Sequence, residues 1–196
     1  TQQKLNKEIL QKLIKATTQE EVTDLIKSHP FFKNCKWVAY GNQENNAGTI
    51  KAQSPDPVGA LVEKITNGID ALLIRMCWDN KIDPTSSSAP QSQNDAIRKF
   101  FGNKVANFDL SYKEVREIAL TTVRIIAEGT PEKPTISVFD FGEGQHPKDF
   151  PKTFLSIGGS NKIKIKFAHG VYNQGGSAAL KFCGYGYQLI LSRRAP

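Results

Sequence analysis

The stretch from Asp56 to Cys77 constrains this chain more than any other. Asp56 is a strong N-cap and Pro57 suits the first helical position. Val58, Leu61, Val62, Ile65, Ile69, Leu72, Leu73 and Met76 then recur at steps of three and four, which gives a helix one apolar face. The opposite face carries Glu63, Asn67 and Asp70, which fall within about 60° of one another at roughly 100° per residue. Their neighbours Gly59, Ala60, Thr66 and Ala71 are small. A face meant for water usually carries long charged side chains in i,i+4 pairs. Two carboxylates and an amide with space around them suit a face that looks into a pocket. On the helix alone, a surface helix with two acids and an Asn is the commoner reading, so the rest of the chain has to decide.

With 196 residues the chain is long enough for one domain with a proper core. No apolar run approaches the roughly 20 residues of a membrane span, and TQQKLNKEIL lacks the apolar centre of a signal peptide. The absence of an initiator Met, and an end just after the strand-like run GYGYQLILS, point to a domain excised from a longer protein. The net charge of +7 permits a nucleic acid or another polyanion as partner. Apart from Lys162, Lys164 and Lys166, however, the lysines are scattered, which reads as solvated surface. Cys35, Cys77 and Cys183 form no CxxC pair, which argues against a zinc site or disulfide framework and for a reducing, cytoplasmic compartment.

Residues 1–30 read as a helical extension of two helices. Thr18 and Glu21 form a capping box at the start of the second. Its role would be packing or dimerisation. Residues 31–196 form the main domain. Phe31 to Tyr40 is aromatic and strand-like, and Thr49 to Ala52 reads as a short strand. The run from Asp83 to Pro90 is a breaker. A short amphipathic piece covers Asp95 to Phe101. Ser111 and Glu114 cap a helix expected from Tyr112 to about Glu128. Thr135 to Asp140 alternates as a strand, and Gly186 to Ser192 as a closing one. The expected class is α/β: a two-layer sandwich, with a mixed, mostly antiparallel sheet and helices on one face.

Three segments carry chemistry: E-x-x-x-N-x-x-D on the helix, D-x-G-x-G at a strand end, and a Gly-rich segment opening a helix. Each is weak alone; in this order they suit a nucleotide. Asp140 would accept from an exocyclic amine such as that of adenine. Gly142 and Gly144, lacking Cβ, would let backbone lie against a base. Backbone N–H groups at Gly175, Gly176 and Ser177 would face phosphates. Asn67 offers an uncharged oxygen to Mg²⁺, and Glu63 stands one turn away to polarise a water. The chain has no P-loop, Rossmann fingerprint, nucleophile elbow or H-E-x-x-H.

Over roughly residues 57–191 the pattern resembles the GHKL superfamily: type II topoisomerase ATPase domains, the ninety-kilodalton heat-shock chaperone, histidine kinases and MutL-type repair proteins. The resemblance implies the Bergerat ATP-binding fold and the cofactors ATP and Mg²⁺. It implies Glu63 as general base, Asn67 as Mg²⁺ ligand, Asp70 as an indirect contact near adenine, and Asp140 as adenine reader above Gly142 and Gly144. Ser160-Asn161-Lys162 is similar to the Ser/Thr-x-Lys segment that precedes the lid in several members, which leaves Gly170 to Ser177 as the lid and phosphate cradle. Here the lid has Gln174 where a glycine is usual, with Gly175 and Gly176 adjacent. A glutamate at position 63 matches the hydrolysing branches rather than the kinases. His146 and His169, in loops beside the motifs, read as structural or surface residues. The implied activity is slow ATP hydrolysis that drives lid closure and homodimerisation of a larger protein, with ATP and ADP as ligands and no membrane partner. The alternatives are a nucleotide sensor without turnover and a basic nucleic-acid-binding domain.

Overall fold

The computed structural model describes residues 2–52, 56–157, 162–169, 179–182 and 187–194. Helices α1 (Gln2–Lys15) and α2 (Gln19–Ser28) open the chain. The capping box at α2 forms as expected. Thr18 Oγ1 accepts from Glu21 N–H at 3.2 Å, and Glu21 Oε2 accepts from the N–H groups of Thr17 and Thr18 at 2.7 and 3.2 Å. The next segment departs from expectation. Instead of a strand beginning at Phe31, Pro30–Lys33 is a short helix, α3. The buried His29 caps it by accepting the Phe31 N–H at Nδ1, 3.3 Å away, and Pro30 fits the first turn. Helices α1, α2 and α3 pack on one another. Thr135 Oγ1 donates to Thr17 O at 2.5 Å, and Thr23 and Tyr187 share a 3.1 Å hydroxyl contact, which ties this unit to the rest.

A 3₁₀ turn at Tyr40–Asn42 leads into α4 (Asn46–Ala52). This helix absorbs the Thr49 to Ala52 run expected as a strand: Thr49 N–H bonds Asn45 O at 3.3 Å, a helical step. Helix α5 (Pro57–Asp79) begins where the sequence places it, with Asp56 Oδ1 accepting from Val58 N–H at 3.0 Å. It runs past Cys77 and ends at Asn80, whose side-chain amide donates to Met76 O at 2.8 Å. Its apolar face is used unevenly. Val58 and Val62 are exposed, whereas Leu72, Leu73, Ile74 and Cys77 are buried.

The core forms around that second half. Leu73, Ile74 and Cys77 pack with Ala96 of α6 (Gln93–Phe101), with Ala89 and with Phe167. Helices α7 (Asn103–Ala106) and α8 (Tyr112–Ala119) follow, α8 carrying the expected Ser111–Glu114 capping box. The helix expected to reach Glu128 stops at Ala119. Residues Val123–Thr130 form strand β1, paired antiparallel with β2 (Lys133–Asp140), with Val123 opposite Asp140 and Thr130 opposite Lys133. Thr122, Val123, Ile125 and Ile126 are β-branched and stiff at χ1, so a pleated strand with a partner suits them better than a helix. Gly129, at φ 86°, makes the return.

Among the described residues the sheet is this two-stranded hairpin, packed against α5. Residues 187–194, expected to include a closing strand, make no ladder. They lie along the loop that follows β2, where Gln145 N–H donates to Ser192 Oγ at 2.9 Å. The architecture is thus mixed helix and strand, with helices predominating. No described helix is long and apolar enough to cross a membrane.

Candidate functional site

Helix α5 meets the end of the hairpin along a stripe of residues spaced three and four apart. Gly68 abuts the Val123–Asp140 pair: a Cβ placed there would lie 3.2 Å from Asp140 Cβ and 3.6 Å from Val123 Cγ1. One turn on, Ala71 O accepts the Glu143 N–H at 3.1 Å, and a further turn on Arg75 Nη1 donates to Phe141 O at 3.0 Å. The D-x-G-x-G loop is therefore hung on the backbone and side chains of α5. Small residues at 68 and 71 permit the approach. A mid-helix glycine costs about 1 kcal/mol against Ala, and this contact gives Gly68 its reason.

Within that loop Asp140 Oδ1 accepts the Gly142 N–H at 2.9 Å. The other carboxyl oxygen has no partner among the described residues. Burial raises the Asp140 carboxyl above its ordinary range, outweighing the Gly142 N–H and the positive charge of Lys162, which both lower it. The residue as a whole remains open to solvent, which keeps the effect modest. A Cβ on Gly142 would lie 2.5 Å from Ala71 Cβ and 2.7 Å from Asp140 Oδ1. Gly144 has φ 63°, and a Cβ there would fall 2.0 Å from Arg193 O. Both glycines are required by the packing of this loop. Gly142→Val is expected to cost about 1–3 kcal/mol, as overpacking does. Thermal melting checks this, and an unchanged midpoint would mean that the loop does not sit on Ala71.

The polar face of α5 is organised by Lys162. Its ammonium lies 3.3 Å from Asn67 Oδ1 and 3.2 Å from Asp70 Oδ2. Asp70 is wholly buried, and its Oδ1 accepts the His169 N–H at 3.1 Å. Segment 162–169 is thus held at both ends by one carboxylate, with Phe167 between them in the core. Glu63, one turn before Asn67, is half-buried. Asn67 and Asp70 meet Lys162 and share one face of α5 with Glu63, whereas Asp140 and Gly142 pack on Gly68 and Ala71 and Gly144 packs on Arg193. Ser160, Gly170, Gly175, Gly176 and Ser177 lie outside the described residues.

The expected Mg²⁺ ligand, Asn67, therefore has its oxygen on an ammonium. Asn67 Oδ1 and Asp70 Oδ2 converge on one cation, so the donor pair fits a cation, and Mg²⁺ is held by few protein oxygens when phosphates complete its shell. No group of three His, Cys, Asp or Glu side chains able to hold a metal occurs among the described residues. Asp70, expected as an indirect contact near adenine, receives the Lys162 ammonium and the His169 N–H. An open groove of about 340 Å³, lined among others by Leu72, Arg75, Met76 and Phe141, contains none of the expected site residues. Its charges, Arg75 and Asp79, are paired with each other at 3.4 Å.

Gly68, Arg75 and the His169 backbone are the participants that sequence reading missed. Only Gly68 left a signal, as a glycine in an otherwise strong helix. No family model matches the chain, and neither a curated protein nor a solved structure does.

Proposed function

We propose that the chain is an ATP-binding domain of the GHKL type, built on the two-layer Bergerat sandwich, and that it slowly hydrolyses the ATP it binds. One observation carries the reading. The strand-end Asp140 and Gly142 dock on the same helix that presents Glu63, Asn67 and Asp70, and Lys162 bonds Asn67 and Asp70 there.

In this reading Asp140 accepts the exocyclic amine of adenine, while Gly142, packed against Ala71, holds the Asp140 carboxyl through its N–H. Lys162 supplies positive charge beside the polyphosphate. Glu63 takes a proton from the attacking water at its carboxylate. Asn67, once released by Lys162, and phosphate oxygens would hold Mg²⁺, which when bound neutralises charge on the phosphates. Contacts made to the nucleotide in one conformation and not in another would drive rearrangement or dimerisation of a larger protein.

Replacing Glu63 with Ala tests the catalytic part. Turnover is expected to fall about 100-fold or more while ATP affinity stays, since general-base catalysis contributes about 10²–10⁴-fold. Unchanged turnover would favour a nucleotide sensor instead.

A further inference from the structure

Two oxygens of α5, on Asn67 and Asp70, face one position, and the cation there belongs to the protein itself. A lysine only donates, so Asn67 presents its oxygen and not its amide nitrogen to Lys162. Asp70 is wholly buried, and a buried carboxylate must be compensated. Lys162 does this with a side chain that is 22% exposed. The same charge reaches Asp140, whose carboxyl it pulls toward the ionised form. One ammonium thus bonds both oxygens that the site reading places toward a cation.

We infer that Lys162 is the resident cation of this site. It holds the place of a divalent ion while no nucleotide is present, and it leaves Asn67 when a divalent ion arrives with the nucleotide. The inference rests on the nucleotide-binding reading and adds its control. Free divalent ions are excluded because a positive charge already fills the position. The exchange needs only a side-chain movement. Phe167 is 1% exposed and Ala168 8% exposed, so segment 162–169 stays anchored while the flexible four-carbon stem of Lys162 swings. Asp70 keeps the His169 N–H throughout, and the incoming ion replaces the lost charge.

The experiment uses Mn²⁺ alone, followed by its electron paramagnetic signal, with the 196-residue chain and no nucleotide. The wild type is expected to bind Mn²⁺ weakly. Lys162→Ala should bind it at least about tenfold tighter, and a further Asn67→Ala should remove that gain. Lys162→Gln keeps a donor for the buried Asp70 and is the second variant should Lys162→Ala not fold. It too is expected to gain Mn²⁺ binding. A folded Lys162 variant that binds Mn²⁺ no better than the wild type overturns the inference, as does a gain that survives Asn67→Ala. Because nucleotide is left out, either result leaves the ATP-binding reading to its own titration.

Discussion

Asp70→Ala is expected to lower the thermal midpoint by roughly 6–12 °C, the largest loss of stability from any single change in this site. The carboxylate is wholly buried and receives both the Lys162 ammonium and the His169 N–H. Removing one partner of a buried ion pair costs about 3–5 kcal/mol, because the other charge is left uncompensated. Lys162 keeps some exposure, which places the cost near about 3 kcal/mol. For a chain of this length each kcal/mol shifts the midpoint by roughly 2–4 °C. Asp70→Asn should lose less, since an amide oxygen still accepts from His169. A midpoint for Asp70→Ala within about 2 °C of wild type would mean that the Lys162–Asp70 pair does not hold segment 162–169.

Asp140→Asn is expected to weaken ATP binding by about 10- to 100-fold while leaving the fold intact. Asp140 Oδ1 is held by the Gly142 N–H at 2.9 Å. An Asn there keeps its oxygen on that N–H, which turns its NH₂ group toward the ligand. A donor then faces the exocyclic amine, itself a donor. Loss of a hydrogen bond to a charged group is worth about 1.5–3 kcal/mol, hence the expected factor.

The pH dependence follows from the same carboxyl. Burial sets its folded pKa above the unfolded one. A group shifted that way favours the folded state at low pH, and that contribution is lost as pH rises through the folded value. Asp140→Asn should therefore not destabilise the protein at neutral pH. ATP affinity shows the opposite trend, because it needs the carboxylate. It should fall on acidification at a pH above the ordinary Asp value of about 4. The variant should show no such limb. Calorimetry across pH checks both statements, and a parallel acid limb in the variant would assign it to another group.

The elements legible in the sequence are those whose causes are local. Asp56-Pro57 starts α5, and the Thr18–Glu21 and Ser111–Glu114 pairs start α2 and α8, because a cap is settled by residues within one turn. The failures have non-local causes. Val115, Ile118, Ala119, Val123 and Ile126 fit a helical stripe, yet the second part becomes β1 because Lys133–Asp140 returns to pair with it. The β-branched run after Thr121, with Gly129 before the return, was the signal that outweighs the stripe. Phe31 to Tyr40 looked like a strand from its aromatics, but among the described residues it has no ladder partner, and the His29–Pro30 start favours a helical turn.

The candidate site was legible in residue type and less so in role. Glu63, Asn67 and Asp70 do share a face of α5, and Asp140 with Gly142 does reach that helix. That Asp70 would be buried by Lys162 and His169, over ninety residues away in the chain, could not be read from spacing. The small neighbours of the polar face also served a different end. Ala71, with Gly68, admits the strand-end loop rather than leaving open space.

Calorimetric titration of the wild-type chain with a non-hydrolysable ATP analogue in Mg²⁺, beside Asp140→Asn, bears most directly on whether this is a nucleotide site. Saturable one-to-one binding by the wild type, weakened by about 10- to 100-fold in the variant, is the expected result. No binding by the folded wild type, or equal binding by the variant, would contradict the assignment of Asp140 and the helix beneath it to a nucleotide.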